Sequence, residues 1–203
     1  MKTAVFDLGG VLIDWNPRYF YKSVFADPAE MEYFLTHICG SAWNAVTDAG
    51  ETFENATPRW CEKFPDYAKY ISLFYRGWPQ MLGGELPAGV AALRELKQKG
   101  VPVYGLTNWS AQTFPVARAK FPFLGEFDGI VVSGEEKLVK PDPRFFKLLL
   151  TRYGLRAQEC VFIDDNAANV AAARALGFTG LHLTAPEKIR EQLWPLLDLG
   201  ADA

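Results

Sequence analysis

The chain has 203 residues, of which 49% are hydrophobic and 22% charged, and its formal net charge is −3. That length suits one good-sized core carrying a smaller insert, and the lack of any basic stripe argues against nucleic acid as the main partner. No apolar run approaches membrane-spanning length and no signal-peptide core precedes the first strand-like segment, so a cytoplasmic protein without a membrane partner is expected. Cys39, Cys61 and Cys160 are odd in number and fit no CxxC spacing, which leaves them as packing residues. The two histidines, His37 and His182, have no local partner pattern, which argues against a Ser/His/Asp or Cys/His nucleophile.

In chain order, Thr3-Ala4-Val5-Phe6 reads as a buried strand that delivers Asp7 to its open end, and Gly9-Gly10 then permit the tight loop and close backbone approach that a phosphate or metal needs. Asp14-Trp15-Asn16-Pro17 reads as an exit turn, with Asn16 capping a helix that starts at Pro17. Helical patterns follow near Pro17 to Phe25, Pro28 to Cys39, Thr52 to Phe64 and Tyr67 to Gln80, their aromatic residues at three- and four-residue spacing. Residues 15–83 are therefore expected to be an all-helical insert with an aromatic core. Gly83-Gly84 reads as the hinge at its end.

From Leu86 onward, strand and helix alternate. Helices are expected over Pro87 to Lys99, near Ser110 to Ala119, from Pro143 to Gly154 with Asp142 as cap, and from Ala167 to Leu176, followed by a C-terminal helix. Strands are expected at Val101 to Leu106, Gly129 to Val132, Cys160 to Ile163 and Gly180 to Leu183, with Ser133 to Glu136 as a loop leading to Lys140-Pro141. Near-continuous apolar strands between helices imply an α/β fold, a Rossmann-like doubly wound parallel sheet. Residues 1–14 and 84–203 would form this core.

Four strands end on polar residues: Asp7, Thr107-Asn108, Lys140 after the Ile130 strand, and Asp164-Asp165. In an open parallel sheet those ends share one edge, where ligands bind. The set suits phosphoryl transfer, with Asp7 as nucleophile, Asp7 and Asp165 holding a hard divalent cation such as Mg²⁺, Thr107 donating to a phosphate oxygen and Lys140 neutralising charge.

The ordered motifs Asp7-x-Gly9-Gly10-Val11, Thr107-Asn108, Lys140-Pro141 and Asp164-Asp165 resemble those of the haloacid dehalogenase superfamily, and the insert resembles the mobile cap of its subclass I. The resemblance spans nearly the whole chain and implies a Mg²⁺-dependent phosphatase acting on a small phosphorylated metabolite through an aspartyl-phosphate on Asp7. It implies Asp7, the carbonyl of Gly9 and Asp165 as metal ligands, Asp164 and Asn169 as their support, and Thr107, Asn108 and Lys140, with the Gly9-Gly10 loop, around the phosphate. It also places a specificity loop at Trp43 to Gly50, where the sequence reads as an interhelical turn whose Asn44 and Asp48 would meet a small polar leaving group.

One position departs from the family pattern. Phosphatases of this superfamily usually carry a second Asp two residues after the nucleophile, as general acid and base; here that position is Gly9. Asp14 and Asp48 are the carboxylates available to replace it. The competing readings are a metal-independent 2-haloacid dehalogenase and a non-catalytic phosphate-binding descendant of the fold, and the Asp164-Asp165 pair favours phosphate chemistry over the first. A phospho-receiver domain is disfavoured because its acidic pair follows the first strand and it needs no helical insert.

Overall fold

The computed structural model describes residues 2–200. Among them the strands are Thr3–Phe6 (β1), Ile13–Trp15 (β2), Leu82–Glu85 (β3), Val103–Thr107 (β4), Gly129–Val132 (β5), Cys160–Asp164 (β6) and Thr179–His182 (β7). Five form a parallel sheet in the order β5-β4-β1-β6-β7. β1 is buried throughout because successive side chains enter different cores. Ala4 and Phe6 join the larger apolar cluster with Val103, Val161 and Ile163, while Val5 joins Leu106, Phe146 and Phe162 on the opposite face. A strand covered on both sides has no polar face, which is why its sequence shows an apolar run and not an alternation.

The helices divide accordingly. Pro87–Gln98 and Ile189–Leu196 send Val90, Leu93, Leu96 and Leu193 into the larger core, and Pro143–Tyr153 sends Phe145, Phe146 and Leu149 into the smaller one. The last of these carries its full set of sequence signals. Asp142 accepts a hydrogen bond from the Arg144 amide, Pro143 opens the helix, and Gly154 closes it at φ +65°.

Between β2 and β3 the chain is helical, and its aromatic side chains pack together. Trp43 is fully buried against the rings of Trp60, Phe74 and Phe53, at centroid distances of 5.4, 5.5 and 5.9 Å. This aromatic core is continuous with the larger core of the sheet. No helix among the described residues is long and apolar enough to cross a membrane.

Several local expectations need correction. Residues 43–50 are not a turn: Ser41–Asp48 is an α-helix, and the turn is confined to Ala49 and Gly50, the latter at φ +94°. Trp43 and Thr47, four residues apart, face inward and hold it. Its Ser, Asn, Thr and Asp favour non-helical local hydrogen bonds, so sequence alone conceals the helix. The supposed exit turn and glycine hinge pair instead as an antiparallel ribbon, β2 with β3, in which a side chain at Gly83 would collide with the Asp14 carboxylate and the Tyr19 ring. Ser133–Glu136 forms a short helix where a loop was expected, and the helix expected near Ser110 starts only at Phe114. Tyr67 to Gln80 is broken into the short helices Ala68–Ile71 and Phe74–Gly77 and a 3₁₀ turn over Trp78–Met81.

Trp43→Ala should destabilise the protein by about 3–5 kcal/mol, the range for truncating a buried large aromatic. Equilibrium urea denaturation followed by circular dichroism measures this; a change under about 1 kcal/mol would mean that the aromatic cluster does not hold the helical segment together.

Candidate active site

Because β4 and β6 flank β1, the C-terminal ends of three adjacent strands present Thr107, Asp7 and Asp164 at one edge of the sheet. Lys140, from the loop before the helix Pro143–Tyr153, reaches into this edge. Its side chain is fully buried and its ammonium lies 2.9 Å from Asp7 Oδ1 and 2.7 Å from Asp164 Oδ2. Burial would lower the Lys140 pKa, but the two carboxylates outweigh it and hold the ammonium above its ordinary range.

Asp164 is saturated by protein donors. The Asn166 amide and Asn169 Nδ2 donate to its Oδ1 at 2.8 and 3.1 Å, and Asn169 Nδ2 also lies 3.0 Å from Oδ2. Asp7 is only partly satisfied: Oδ1 accepts from the Leu8 amide at 2.7 Å as well as pairing with Lys140, and no protein donor reaches Oδ2 among the described residues. Burial pushes Asp7 up to about 7; Lys140 opposes that shift and the Asp164 carboxylate adds to it. Asp165 is exposed, and its carboxyl is raised by partial burial and by Asp164.

Oxygens of Asp7, Asp164 and Asp165 lie within 4.8 Å of one another. One ammonium cannot neutralise three carboxylates, and with Asp164 already saturated the uncommitted oxygens belong to Asp7 and Asp165. That donor set, all hard oxygen and incomplete without water or substrate, fits Mg²⁺. The loop beside it is shaped to match. Gly10 sits at φ +72°, and a side chain there would run into the Asp165 carboxylate. Gly9 is different: its φ is not positive and a Cβ would meet nothing within 4 Å.

Thr107 is 1% exposed and its Oγ1 has no hydrogen-bond partner. A buried hydroxyl without a partner is costly, which suits a group that donates to a ligand. Asn108, expected around the phosphate, has its side chain engaged with the lysine loop. Its Oδ1 accepts from the Lys140 amide at 2.8 Å and its Nδ2 donates to the Lys140 carbonyl at 3.0 Å, clamping the backbone of the lysine loop.

A cavity of about 110 Å³, partly open to solvent, adjoins the strand ends and is bounded by Gly9, Asn108, Asn44, Thr47 and Asp48. Most of its remaining wall is aromatic: Trp15, Phe53, Phe74, Trp78 and Trp109. So Asn44 and Asp48 do reach this space, but the wall around them is largely apolar, unlike the small polar surface expected. Sequence reasoning missed this wall because it read the insert's aromatic residues as a bundle core, a role that Phe53 and Phe74 serve at the same time, and placed Trp15 in an exit turn. Trp109 and Ser110 directly follow Thr107-Asn108, and that adjacency was the available signal.

Asp48 is fixed by its backbone and by its surroundings. Ser133 Oγ donates to the Asp48 carbonyl at 2.6 Å and accepts from the Trp109 amide at 2.9 Å. Burial pushes the Asp48 carboxyl up to about 7; Asp7 adds to the shift, while Lys140 and a hydrogen bond from the Ser110 backbone oppose it. Asp14 lies outside the cavity, where its Oδ2 accepts the Tyr19 hydroxyl at 2.5 Å.

A doubly covered parallel sheet whose open edge gathers an acidic cluster around one buried lysine is an α/β architecture with its ligand site at the carboxyl ends of the strands. The chain belongs to the haloacid dehalogenase-like hydrolases, whose family sequence model matches residues 1–177. It is 33% identical over 189 residues to the sesquiterpene phosphatase AstK of Aspergillus oryzae, covering 90% of both chains. It is 35% identical over 195 residues to the drimenol cyclase DrtB of Aspergillus calidoustus, spanning 95% of this chain and 36% of that longer protein. A family enzyme from Bacteroides thetaiotaomicron, solved with magnesium and inorganic phosphate, superposes with a TM-score of 0.66 at 26% identity, covering 89% of this chain and 93% of that one.

The raised Asp48 carboxyl has a consequence for stability. The unfolded chain ionises this group near 3.8, whereas the folded protein holds its proton to about 7. Stability therefore falls as pH rises through that window. In EDTA at about pH 8, Asp48→Asn should raise Tm by roughly 5 °C, and the difference should close below about pH 4. Differential scanning fluorimetry across that range tests this; an Asp48→Asn protein less stable than wild type at the higher pH would contradict it.

Proposed function

We propose that the protein is a Mg²⁺-dependent phosphatase that hydrolyses a small phosphomonoester through an aspartyl-phosphate on Asp7. The observation that carries this reading is the Lys140 ammonium buried between Asp7 and Asp164, with the unpartnered Thr107 hydroxyl on the neighbouring strand end. Asp7, Asp165 and the Gly9 carbonyl would hold the Mg²⁺, with Asp164 and Asn169 supporting them from behind. When bound, the ion supplies positive charge that draws the phosphate against Asp7 and stabilises charge on its oxygens.

The protein groups divide the remaining work. Asp7 attacks phosphorus, with Oδ1 held by the Leu8 amide and Lys140 so that the carboxylate cannot rotate away. Lys140 and the Thr107 hydroxyl hold the phosphoryl oxygens, and Asn108 keeps the lysine loop in register. The backbone of the Gly9-Gly10 loop approaches the same group closely. In this reading residues 15–83 act as the cap and residues 1–14 with 84–203 as the catalytic core.

The substrate's leaving group would sit in the cavity next to Gly9, beside Asn44 and Asp48. Its five aromatic side chains favour an apolar portion on that group over a bare polar one. The sesquiterpene phosphatase relative is in keeping with such a substrate.

Asp7→Asn should leave a folded protein with less than about 1% of wild-type phosphatase turnover, because a neutral amide neither attacks phosphorus nor completes the metal site. EDTA should abolish wild-type turnover and Mg²⁺ restore it, as read by orthophosphate release. EDTA-resistant release of halide from a 2-haloacid, with no phosphatase activity, would replace this reading by a dehalogenase.

Along a series of n-alkyl phosphates kcat/KM should climb about fourfold per methylene until the cavity is full, following roughly 0.8 kcal/mol per buried CH₂. A hexose phosphate should be a poorer substrate. A flat series, or preference for the hexose ester, would exclude an apolar leaving-group site.

A further inference from the structure

Hydrolysis of an alkyl phosphate needs a proton for the departing oxygen, and the position that usually supplies it in this family is Gly9. The space a side chain would occupy there is open, with nothing within 4 Å of a Cβ. Among the residues that bound the adjoining cavity, one carboxylate is present: Asp48, from the last turn of the helix Ser41–Asp48. We propose that Asp48, carried by the helical cap, is the general acid and base of the reaction, standing in for the side chain that Gly9 lacks. The inference rests on the phosphatase reading above.

Three features place Asp48 in that role. Its backbone is tied to the catalytic core by Ser133, which also holds the Trp109 amide two residues after Thr107, so the cap residue and the strand end are positioned by one hydroxyl. Gly50 packs its backbone on the Gly134 carbonyl so closely that a side chain would not fit, and Gln112 accepts from the Phe53 amide at 2.6 Å and donates to Glu54 at 2.8 Å. The segment following Asp48 is thus sealed to the core on both sides of the turn. Asp48 bounds the cavity and its buried carboxyl lies within the field of Asp7 and Lys140, but no hydrogen bond or ion pair joins it to Asp7 or Asp165 among the described residues. Burial also keeps a proton on it near neutral pH. Asp14, the other available carboxylate, is occupied by the Tyr19 hydroxyl and does not bound the cavity.

The two half-reactions balance on this residue. In the first, an Asp7 oxygen bonds to phosphorus, the bond from phosphorus to the ester oxygen breaks, and the Asp48 proton passes to that oxygen, giving a neutral alcohol and an Asp48 carboxylate. In the second, water attacks the aspartyl-phosphate, Asp48 takes the water proton, and the bond from phosphorus to Asp7 breaks, releasing orthophosphate and regenerating both carboxyl groups. The net change is ester plus water to alcohol plus phosphate.

The test uses leaving groups of different need. Under saturating Mg²⁺, kcat/KM would be measured for n-hexyl phosphate by phosphate release and for 4-nitrophenyl phosphate by absorbance; this parameter reports the step that expels the leaving group. Asp48→Asn should lose about 10²- to 10³-fold on the hexyl ester and less than about 10-fold on the nitrophenyl ester, whose phenolate departs without a proton. Adding Gly9→Asp to that variant should restore at least 10-fold on the hexyl ester with little change on the other. Equal losses on the two esters, or no loss on either, would overturn the assignment, and the Tm of each variant reports separately whether it is folded. Should the wild-type protein hydrolyse neither ester with Mg²⁺, the phosphatase reading itself falls, an outcome distinct from either pattern of loss.

Discussion

The structure depends on one buried ammonium. The ends of β1 and β6 bring Asp7 and Asp164 together at the edge of the sheet, with Asp165 alongside, and without a cation between them their repulsion in a poorly solvated place would push the strands apart or protonate the acids. Lys140 lies between the first two with its side chain out of contact with solvent. Its partners are unequal. Asp164 is fully satisfied by Lys140, Asn169 and the Asn166 amide, and serves as a fixed anchor. Asp7 keeps one carboxylate oxygen without a protein donor among the described residues, so the same lysine that stabilises the fold leaves this acid only half satisfied.

This arrangement tolerates little displacement, and the chain supplies supports at each entry point. Asn108 clamps both polar atoms of the Lys140 backbone, coupling the lysine loop to the end of β4. Gly10 lets the loop after β1 pass against Asp165 where any side chain would displace the acid. The carboxylates remain unfavourable in themselves, as the upward shift of Asp7 shows. Destabilised charge held rigidly is a common property of sites that bind a cation and an anionic substrate together.

The helical segment is joined to this centre by two kinds of contact. Its aromatic core runs continuously into the core of the sheet through residues such as Trp43, Phe74 and Trp78, giving broad, non-directional attachment. The polar contacts are few and specific: Ser133 on the Asp48 carbonyl, Gln112 on Phe53 and Glu54, and Lys120 on the Leu82 carbonyl at 2.7 Å. Several of the aromatic residues therefore have two functions. Phe53 and Phe74 hold the bundle together and also form the wall of the cavity beside Gly9.

By itself the sequence determined the class of fold and the membership of the central cluster. A strand buried on both faces must be apolar throughout and must end where polarity returns, so Asp7, Thr107 and Asp164 could be read as strand-end residues from local pattern alone, and Lys140 from its place before a capped, proline-initiated helix. Short elements stabilised by partners distant in sequence were not legible. The ribbon of β2 and β3 pairs residues about seventy positions apart, and the helix Ser41–Asp48 is held by Trp43 packing on rings contributed by later segments. Tertiary structure alone decided which polar groups remained free: it committed the Asn108 side chain to the lysine backbone, tied Asp14 to Tyr19, left Thr107 unpartnered and set Asp48 in the cavity next to Gly9. Residue type and order specify what a side chain can donate or accept, but whether that capacity is already used depends on neighbours that only the folded chain brings within hydrogen-bonding distance.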